Sequence, residues 1–310
     1  MEQYDFRGEA DEFLRQMPVG LQARQAEAIR QAIVGNAIPL AAIRNSRNQE
    51  PDACDEVVTF FFTDKLCLYR PAHKSPAPLP LLIYLHGGGW TFGSINSCAR
   101  FCQQLAAQGN VMVLALNYRL APEFPFPAGL QDCVKTVHAV QKKAVEWGAD
   151  RSRISIGGDS SGGNLAVATA LYFLRSGASP FHSILLFYPV LSAWNDYSAS
   201  WQTYHRGMAL DGNLMETFNL AYAKEQERHY LISPSMASDS LLAQLPKLLL
   251  VAAERDILYS QGEAFIQRIE RLGVDARRVV LRGSVHLFVT VKGQETAFRE
   301  SVRLADSFLR

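Results

Sequence analysis

The 310-residue chain predicts a doubly wound α/β fold, a mostly parallel sheet with helices on both faces. Two observations carry this. From about Glu56 onward, short β-rich runs alternate with helical stretches, and most of the runs are apolar throughout instead of alternating with polar residues. A strand of that kind is buried on both faces, which is the situation of a parallel sheet between helical layers. Hydrophobic residues at 48% and charged residues at 20% supply the core such a plan needs and exclude disordered or fibrous classes.

Taken in order, residues from about Glu9 to Gly35 carry helical periodicity ahead of the first strand. Val57–Thr63 and Leu66–Tyr69, split by Asp64-Lys65, read as a hairpin. The later strands are expected at Leu81–Leu85, Val111–Asn117, Ile154–Gly157, Ile184–Tyr188, Leu248–Ala253 and Arg278–Leu281. Helical cover is expected near Ser97–Gln108, Gln131–Trp147, Gly162–Arg175, Ser260–Leu272 and Glu295–Leu309. Asp196 to Tyr230 breaks the alternation as a helical insert holding Trp201, Tyr204, Phe218 and Tyr222. The chain therefore divides into amino-terminal helices over residues 1–55 and a main domain over 56–310 with an insert at about 195–232. The helices outside the alternation are either extra core or, the favoured reading, a cap over the carboxyl ends of the strands, where open α/β sheets bind ligands, with Trp201, Tyr204, Phe218 and Tyr222 expected to line and shorten the pocket.

Charge and cysteine content narrow the function. Lys+Arg 31 against Asp+Glu 30 leave a net charge of +1, with no electrostatic drive toward nucleic acid or anionic lipid. The longest apolar runs fall far short of the roughly 18 residues of a membrane span. The amino terminus, Met1-Glu2-Gln3-Tyr4-Asp5, has no basic region followed by an apolar one. Cys54, Cys67, Cys98, Cys102 and Cys133 are odd in number and scattered, so free thiols and a cytoplasmic location are expected. Cys98 and Cys102 share a helix face, but no second pair at metal-ligand spacing accompanies them, and no metal or organic cofactor is expected.

The chemistry concentrates in Ile154-Ser155-Ile156-Gly157-Gly158-Asp159-Ser160-Ser161-Gly162-Gly163, an apolar strand running into a helix through Gly-x-Ser-x-Gly. A serine at such a strand-to-helix turn is held strained with its hydroxyl exposed, while the glycines let strand and helix approach. Ser160 is thereby the expected nucleophile. Its neighbour Ser161 would need Gly at 159, and that position is Asp. Upstream, the strand Leu81–Leu85 ends in His86-Gly87-Gly88-Gly89-Trp90, whose glycines leave N–H groups free to face a developing oxyanion. His86 precedes that loop and is expected to orient it. A serine nucleophile needs a base and the base an orienting carboxylate, which follow at the ends of later strands. Asp256, with Glu254 as a substitute, follows Leu248–Ala253, and His286 lies in the loop after Arg278–Leu281. The Gly-Asp-Ser-Ser-Gly-Gly string is also reminiscent of trypsin-like proteases, but those are all-β and order their triad His, Asp, Ser.

Taken together, His86-Gly87-Gly88-Gly89, Asn117-Tyr118-Arg119-Leu120-Ala121-Pro122-Glu123, Gly158-Asp159-Ser160-Ser161-Gly162-Gly163, Asp256-x-Leu258 and His286-x-Phe288 resemble the bacterial hormone-sensitive-lipase-like esterases of the α/β-hydrolase superfamily. The resemblance runs from about Glu56 to the end. It implies an eight-stranded sheet, a cap from the amino-terminal helices and the insert, and hydrolysis of carboxylic esters with short acyl groups. It implies Ser160, Asp256 and His286 as triad, the N–H groups of Gly88, Gly89 and Ser161 as oxyanion hole, and structural roles for Arg119, Glu123 and Asp132. Trp90 and Leu287 are the expected substrate contacts. Departures are Ser161 where the family usually has Ala, Phe124 where His often follows Pro-Glu, Ile257 where Pro often follows the acid, and Leu287 where Gly is common. The expected partner is a small-molecule ester, and the last strand is an edge able to pair with its copy in a homodimer. An amide or formamide hydrolase on the same scaffold, or a ligand-binding receptor that lacks turnover, are the alternatives.

Overall fold

The computed structural model describes residues 5–73 and 75–310. The residues 1–4 read for an export signal lie outside that range. Eight strands, β1 (Val57–Thr63), β2 (Leu66–Pro71), β3 (Leu79–Leu85), β4 (Met112–Leu116), β5 (Ala149–Asp159), β6 (Ser183–Phe187), β7 (Lys247–Arg255) and β8 (Ala276–Val285), form one sheet. Its order is β1-β2-β4-β3-β5-β6-β7-β8. The hairpin β1–β2 is antiparallel and β2 joins β4 antiparallel, while every other pairing is parallel.

The helices are α1 (Arg7–Gln16), α2 (Leu21–Ile33), α3 (Ile38–Arg47), α4 (Ile95–Ala107), α5 (Ala128–Lys143), α6 (Ser161–Arg175), α7 (Ala199–Tyr204), α8 (Gly212–Ala223), α9 (Asp239–Leu242), α10 (Tyr259–Arg271) and α11 (Glu295–Leu309). None among the described residues is long and apolar enough to cross a membrane. The continuous apolar strands work as anticipated. On β3, Leu81, Ile83 and Leu85 enter one core while Leu82 and Tyr84 enter the other. Helices α5, α6 and α10 close the first core and α4 and α11 the second. Alternate side chains of one strand thus serve opposite faces, and a polar residue at any of these positions would be stranded without water.

Three boundaries differ from the sequence reading. The stretch from Glu9 to Gly35 is two helices, because Pro18 cannot continue α1 and Gly20, at φ 71°, turns the chain into α2. β5 begins at Ala149, five residues before Ile154, where its pairing with β3 shifts register between Leu79 and Leu81. β8 runs on to Val285, so Gly283-Ser284-Val285 belongs to the strand and not to a loop. Gly283 sits at φ 79° there, its N–H donates to Glu254 Oε2 at 2.8 Å, and its carbonyl accepts from Arg255 Nε at 2.8 Å. The irregular end of the strand is held by β7 side chains across a register shift, after which Val285 pairs with Arg255.

The amino-terminal helices are tied to the insert and to the loops above the sheet. Gln22 on α2 donates to Met208 O at 2.8 Å and accepts from Asp211 N at 2.6 Å, and Arg30 reaches Asn213 and Thr217 on α8. Arg44 on α3 donates to the carbonyls of Thr91 and Ala121 and forks onto Glu123 at 2.8 and 3.0 Å. Arg119 forks onto Asp132 at 2.8 and 2.9 Å. These pairs pin the Asn117–Glu123 loop to α3 on one side and α5 on the other.

Candidate active site

Ser160 joins β5 to α6 at φ 52°, ψ −118°. A non-glycine residue held there costs on the order of 1–3 kcal/mol, tolerated where the surroundings dictate it. They do so here through glycine. A Cβ at Gly158 or at Gly162 would collide with the carbonyl oxygen of Leu85, so strand and helix approach only because neither residue has one. Ser160 N–H donates to Phe187 O at 2.9 Å, which fixes the turn to the neighbouring strand.

His286 follows the last residue of β8. Its Nε2 lies 3.1 Å from Ser160 Oγ and its Nδ1 lies 2.5 Å from Asp256 Oδ2. Asp256 follows β7 and its other oxygen, Oδ1, accepts from Leu258 N at 3.0 Å. Ser160, Asp256 and His286 are all buried. Three strand ends separated by up to 126 positions in sequence thus deliver one hydrogen-bonded row. Glu254 does not join it, since its carboxylate is engaged with Gly283 N–H.

Gly88 and Gly89 follow β3 at φ 113° and 61°. Their N–H groups have no acceptor among the described residues, nor has the N–H of Ser161 at the first position of α6, where helix geometry leaves donors unpaired. A Cβ on Gly89 would run into the Phe218 ring.

Several supports escape sequence reading. Asp159 is buried, and its carboxylate accepts from Tyr84 O–H at 3.0 Å, Gly87 N at 3.0 Å and Thr290 O–H at 2.9 Å. It thereby ties the glycine loop to the segment after His286, and burial raises its pKa above the usual carboxylate range. Tyr188 packs its ring 4.2 Å from the imidazole of His286. Gln294 accepts from Val285 N at 3.0 Å and donates to His286 O at 3.1 Å, holding the backbone that carries the imidazole. Only Asp159 lies inside a motif; Tyr188 and Gln294 have no local pattern that marks them. His86 is buried, stacks on Tyr118 at 4.3 Å, and has its pKa lowered to about 4 by burial, so it is a neutral support of the loop.

A cavity of about 400 Å³ opens onto Ser160 and His286. Its walls come from α1, α2 and the turn between them (Phe13, Leu21, Met17), α8 (Leu214, Phe218) and the glycine loop, with Leu287 beside the base. Leu287 stands at φ 74°, a left-handed conformation that glycine adopts without strain. Two expectations about the lining need correction. Trp90 does not line the cavity: it is 1% exposed, with its ring stacked parallel on Tyr222 at 4.4 Å. Of the insert's aromatics only Phe218 reaches the cavity; Trp201 and Tyr222 are buried in the main core and Tyr204 packs against it. These rings serve the packing of the insert, while Phe13, Met17 and Leu21 from the amino-terminal helices and the turn between them do the lining.

The sequence model of the alpha/beta hydrolase fold family matches residues 82–290. An ethyl acetate hydrolase of Pseudomonas putida is 35% identical over 230 residues, 72% of this chain and 70% of that protein. A putative alpha/beta hydrolase of Acanthamoeba polyphaga mimivirus is 34% identical over 213 residues, 68% of this chain, and the chain spans only 61% of its length. Among solved structures, an esterase of Pyrobaculum calidifontis superposes with a TM-score of 0.78 at 27% identity, covering 96% of each chain. The chain therefore belongs to the alpha/beta hydrolase fold family, in the hormone-sensitive-lipase-like esterase group that its motifs resemble.

Proposed function

We infer that the protein is a serine carboxylesterase that hydrolyses short-chain acyl esters through an acyl-enzyme. The observation that carries this reading is the Ser160–His286–Asp256 row, 3.1 and 2.5 Å long, beside unpaired N–H groups in a cavity. His286 takes the proton of Ser160 as Oγ attacks the ester carbonyl, and Asp256 holds the ring with Nε2 facing the serine. The N–H groups of Gly88, Gly89 and Ser161 receive the oxyanion of the tetrahedral intermediate. His286 then protonates the leaving alkoxide, and a water repeats the sequence to release the acid. Names borne by the relatives, ethyl acetate hydrolase and esterase, agree with it. The helices α1–α3 with α7 and α8 form the cap in this reading, in which α1, α2, α3 and α8 supply residues to the cavity wall and α7 packs on the core beside them.

The acyl pocket is short in this reading. Each buried CH₂ contributes about 0.8 kcal/mol while room remains, so kcat/KM rises or holds across the shortest chains and falls once the chain meets the wall. Phe218, Leu214 and Leu287 are candidate walls. Across a nitrophenyl ester series the optimum is expected between acetyl and about hexanoyl, on that methylene scale. A peak at dodecanoyl or longer would make the enzyme lipase-like, and saturable binding with no release of nitrophenol would make it a receptor.

Ser161 contributes its N–H and not its hydroxyl. Ser161→Ala is accordingly expected to retain kcat within about threefold, since the backbone donor is kept and only a group outside the proton path is lost. A drop of two orders of magnitude in this variant would assign the reaction to the wrong serine.

A further inference from the structure

We propose that the enzyme selects esters bearing a carboxylate, which it recognises through Arg47 at the wall of the catalytic cavity. This rests on the ester-hydrolase reading and names the substrate class of that same site. Among the described residues, the charged side chains lining the cavity are Arg47 and Lys292, and no Asp or Glu lines it. Lys292 is engaged with Asp52 at 3.2 Å. Arg47 has no hydrogen-bonded or ion-paired carboxylate among the described residues, and its guanidinium lies over the Phe92 ring at 5.1 Å. Carboxylates do line the two neighbouring depressions that Arg47 also borders, but none forms an ion pair with it. Asp159 lines a smaller neighbouring cavity with Arg47, but its oxygens already accept from Tyr84, Gly87 and Thr290. In the outer groove, which Arg47 shares with Glu50, Asp52, Asp55, Glu56 and Glu295, Glu295 is paired with Arg100 and Asp52 with Lys292, and none of the five is within ion-pair distance of the Arg47 guanidinium.

The neighbouring arginine shows what is unusual. Arg44, one turn earlier on α3, is held by Glu123 and two carbonyls. Arg47 keeps solvent contact, and the atoms packed around its head group lower its pKa by desolvation. A planar guanidinium with free donors, steadied on an aromatic face and open to the cavity that holds Ser160, matches a carboxylate in bidentate geometry. Apart from Ser160, His286 and the free N–H groups beside them, the polar side chains of the rest of the wall are Lys292, held by Asp52, and the amides of Gln16, Gln22 and Gln25, so Arg47 is the lining cation with unpaired donors.

The test compares matched esters in the whole protein. Monoethyl succinate and ethyl pentanoate place a carboxylate or an ethyl group at the same distance on the acyl side; 4-acetoxybenzoate and 4-ethylphenyl acetate do so on the alcohol side. In at least one pair the ratio of kcat/KM, anionic over neutral, is expected to fall about tenfold in Arg47→Gln, the range of a charge-assisted hydrogen bond. Arg47→Lys should restore part of it, and the wild-type ratio should decline with added salt. Calorimetry of free succinate and 4-hydroxybenzoate on Ser160→Ala reads the anion site without turnover, so a failure of the hydrolase reading and a failure of this one separate. Ratios unmoved by Arg47→Gln in both pairs would overturn the proposal. So would binding of both anions to Ser160→Ala that is unaltered by adding Arg47→Gln.

Discussion

Ser160→Ala is expected to lower kcat for nitrophenyl acetate by about 10⁶, the scale of removing the nucleophile from a serine triad. The size follows from what remains. Alanine leaves the φ 52° turn without its hydroxyl, so no other oxygen stands 3.1 Å from His286 Nε2. The Gly88 and Gly89 donors are untouched, and a residual acceleration of roughly 10³ over the uncatalysed reaction should survive from binding and oxyanion stabilisation. Folding should survive as well. The contacts that hold the turn belong to the backbone of Ser160 and to Gly158 and Gly162, not to Oγ. If the variant keeps more than about a tenth of wild-type activity with an unchanged circular dichroism spectrum, Ser160 is not the nucleophile whose loss carries that 10⁶ factor.

That one residue and its partners were legible in sequence has a physical reason. A strained strand-to-helix turn accepts few residue types, so Gly158 and Gly162 are dictated by backbone collisions at Leu85 and, flanking Ser160 at φ 52°, appear as a local string. Buried parallel strands likewise leave no choice but apolar residues, which is why β3, β6 and β7 could be placed closely from composition alone. Cavity lining is different. Trp90 and Phe218 are both large and apolar, and only the packing of α8 decides that one stacks on Tyr222 while the other meets the glycine loop. Tyr188 and Gln294 support His286 from across the sheet end and from eight residues ahead, through contacts that have no sequence period. The extension of β8 to Val285 was hidden for a related reason. Gly283 and Ser284 are poor strand formers, and the bonds from Glu254 and Arg255 that hold them come from another strand.

Asp256→Asn is expected to reduce kcat by about 10⁴, through the tautomer of His286 rather than through its position. The argument lies in the two oxygens of Asp256. Oδ1 already accepts from Leu258 N–H at 3.0 Å, so an amide at this position keeps its oxygen there and turns its NH₂ toward His286 Nδ1. A nitrogen that now faces a donor must become an acceptor, which moves the ring proton to Nε2. Nε2 then points an N–H at Ser160 Oγ and cannot take the serine's proton. Substrate binding should change little, because Asp256 does not line the cavity. KM is therefore expected to stay within a few fold while kcat collapses, the signature of an interaction used only in the transition state. Glu254→Gln provides the contrast. Its amide oxygen can still accept from Gly283 N–H, and it has no contact with the ring, so activity should remain within about threefold, the scale of losing a side chain's charge away from the reacting groups. Nitrogen NMR of the His286 ring reads the proton directly. A ring in Asp256→Asn still protonated at Nδ1, or a loss of kcat below about tenfold against that 10⁴ expectation, would remove Asp256 from the row and leave the imidazole oriented by Tyr188 and Gln294 alone.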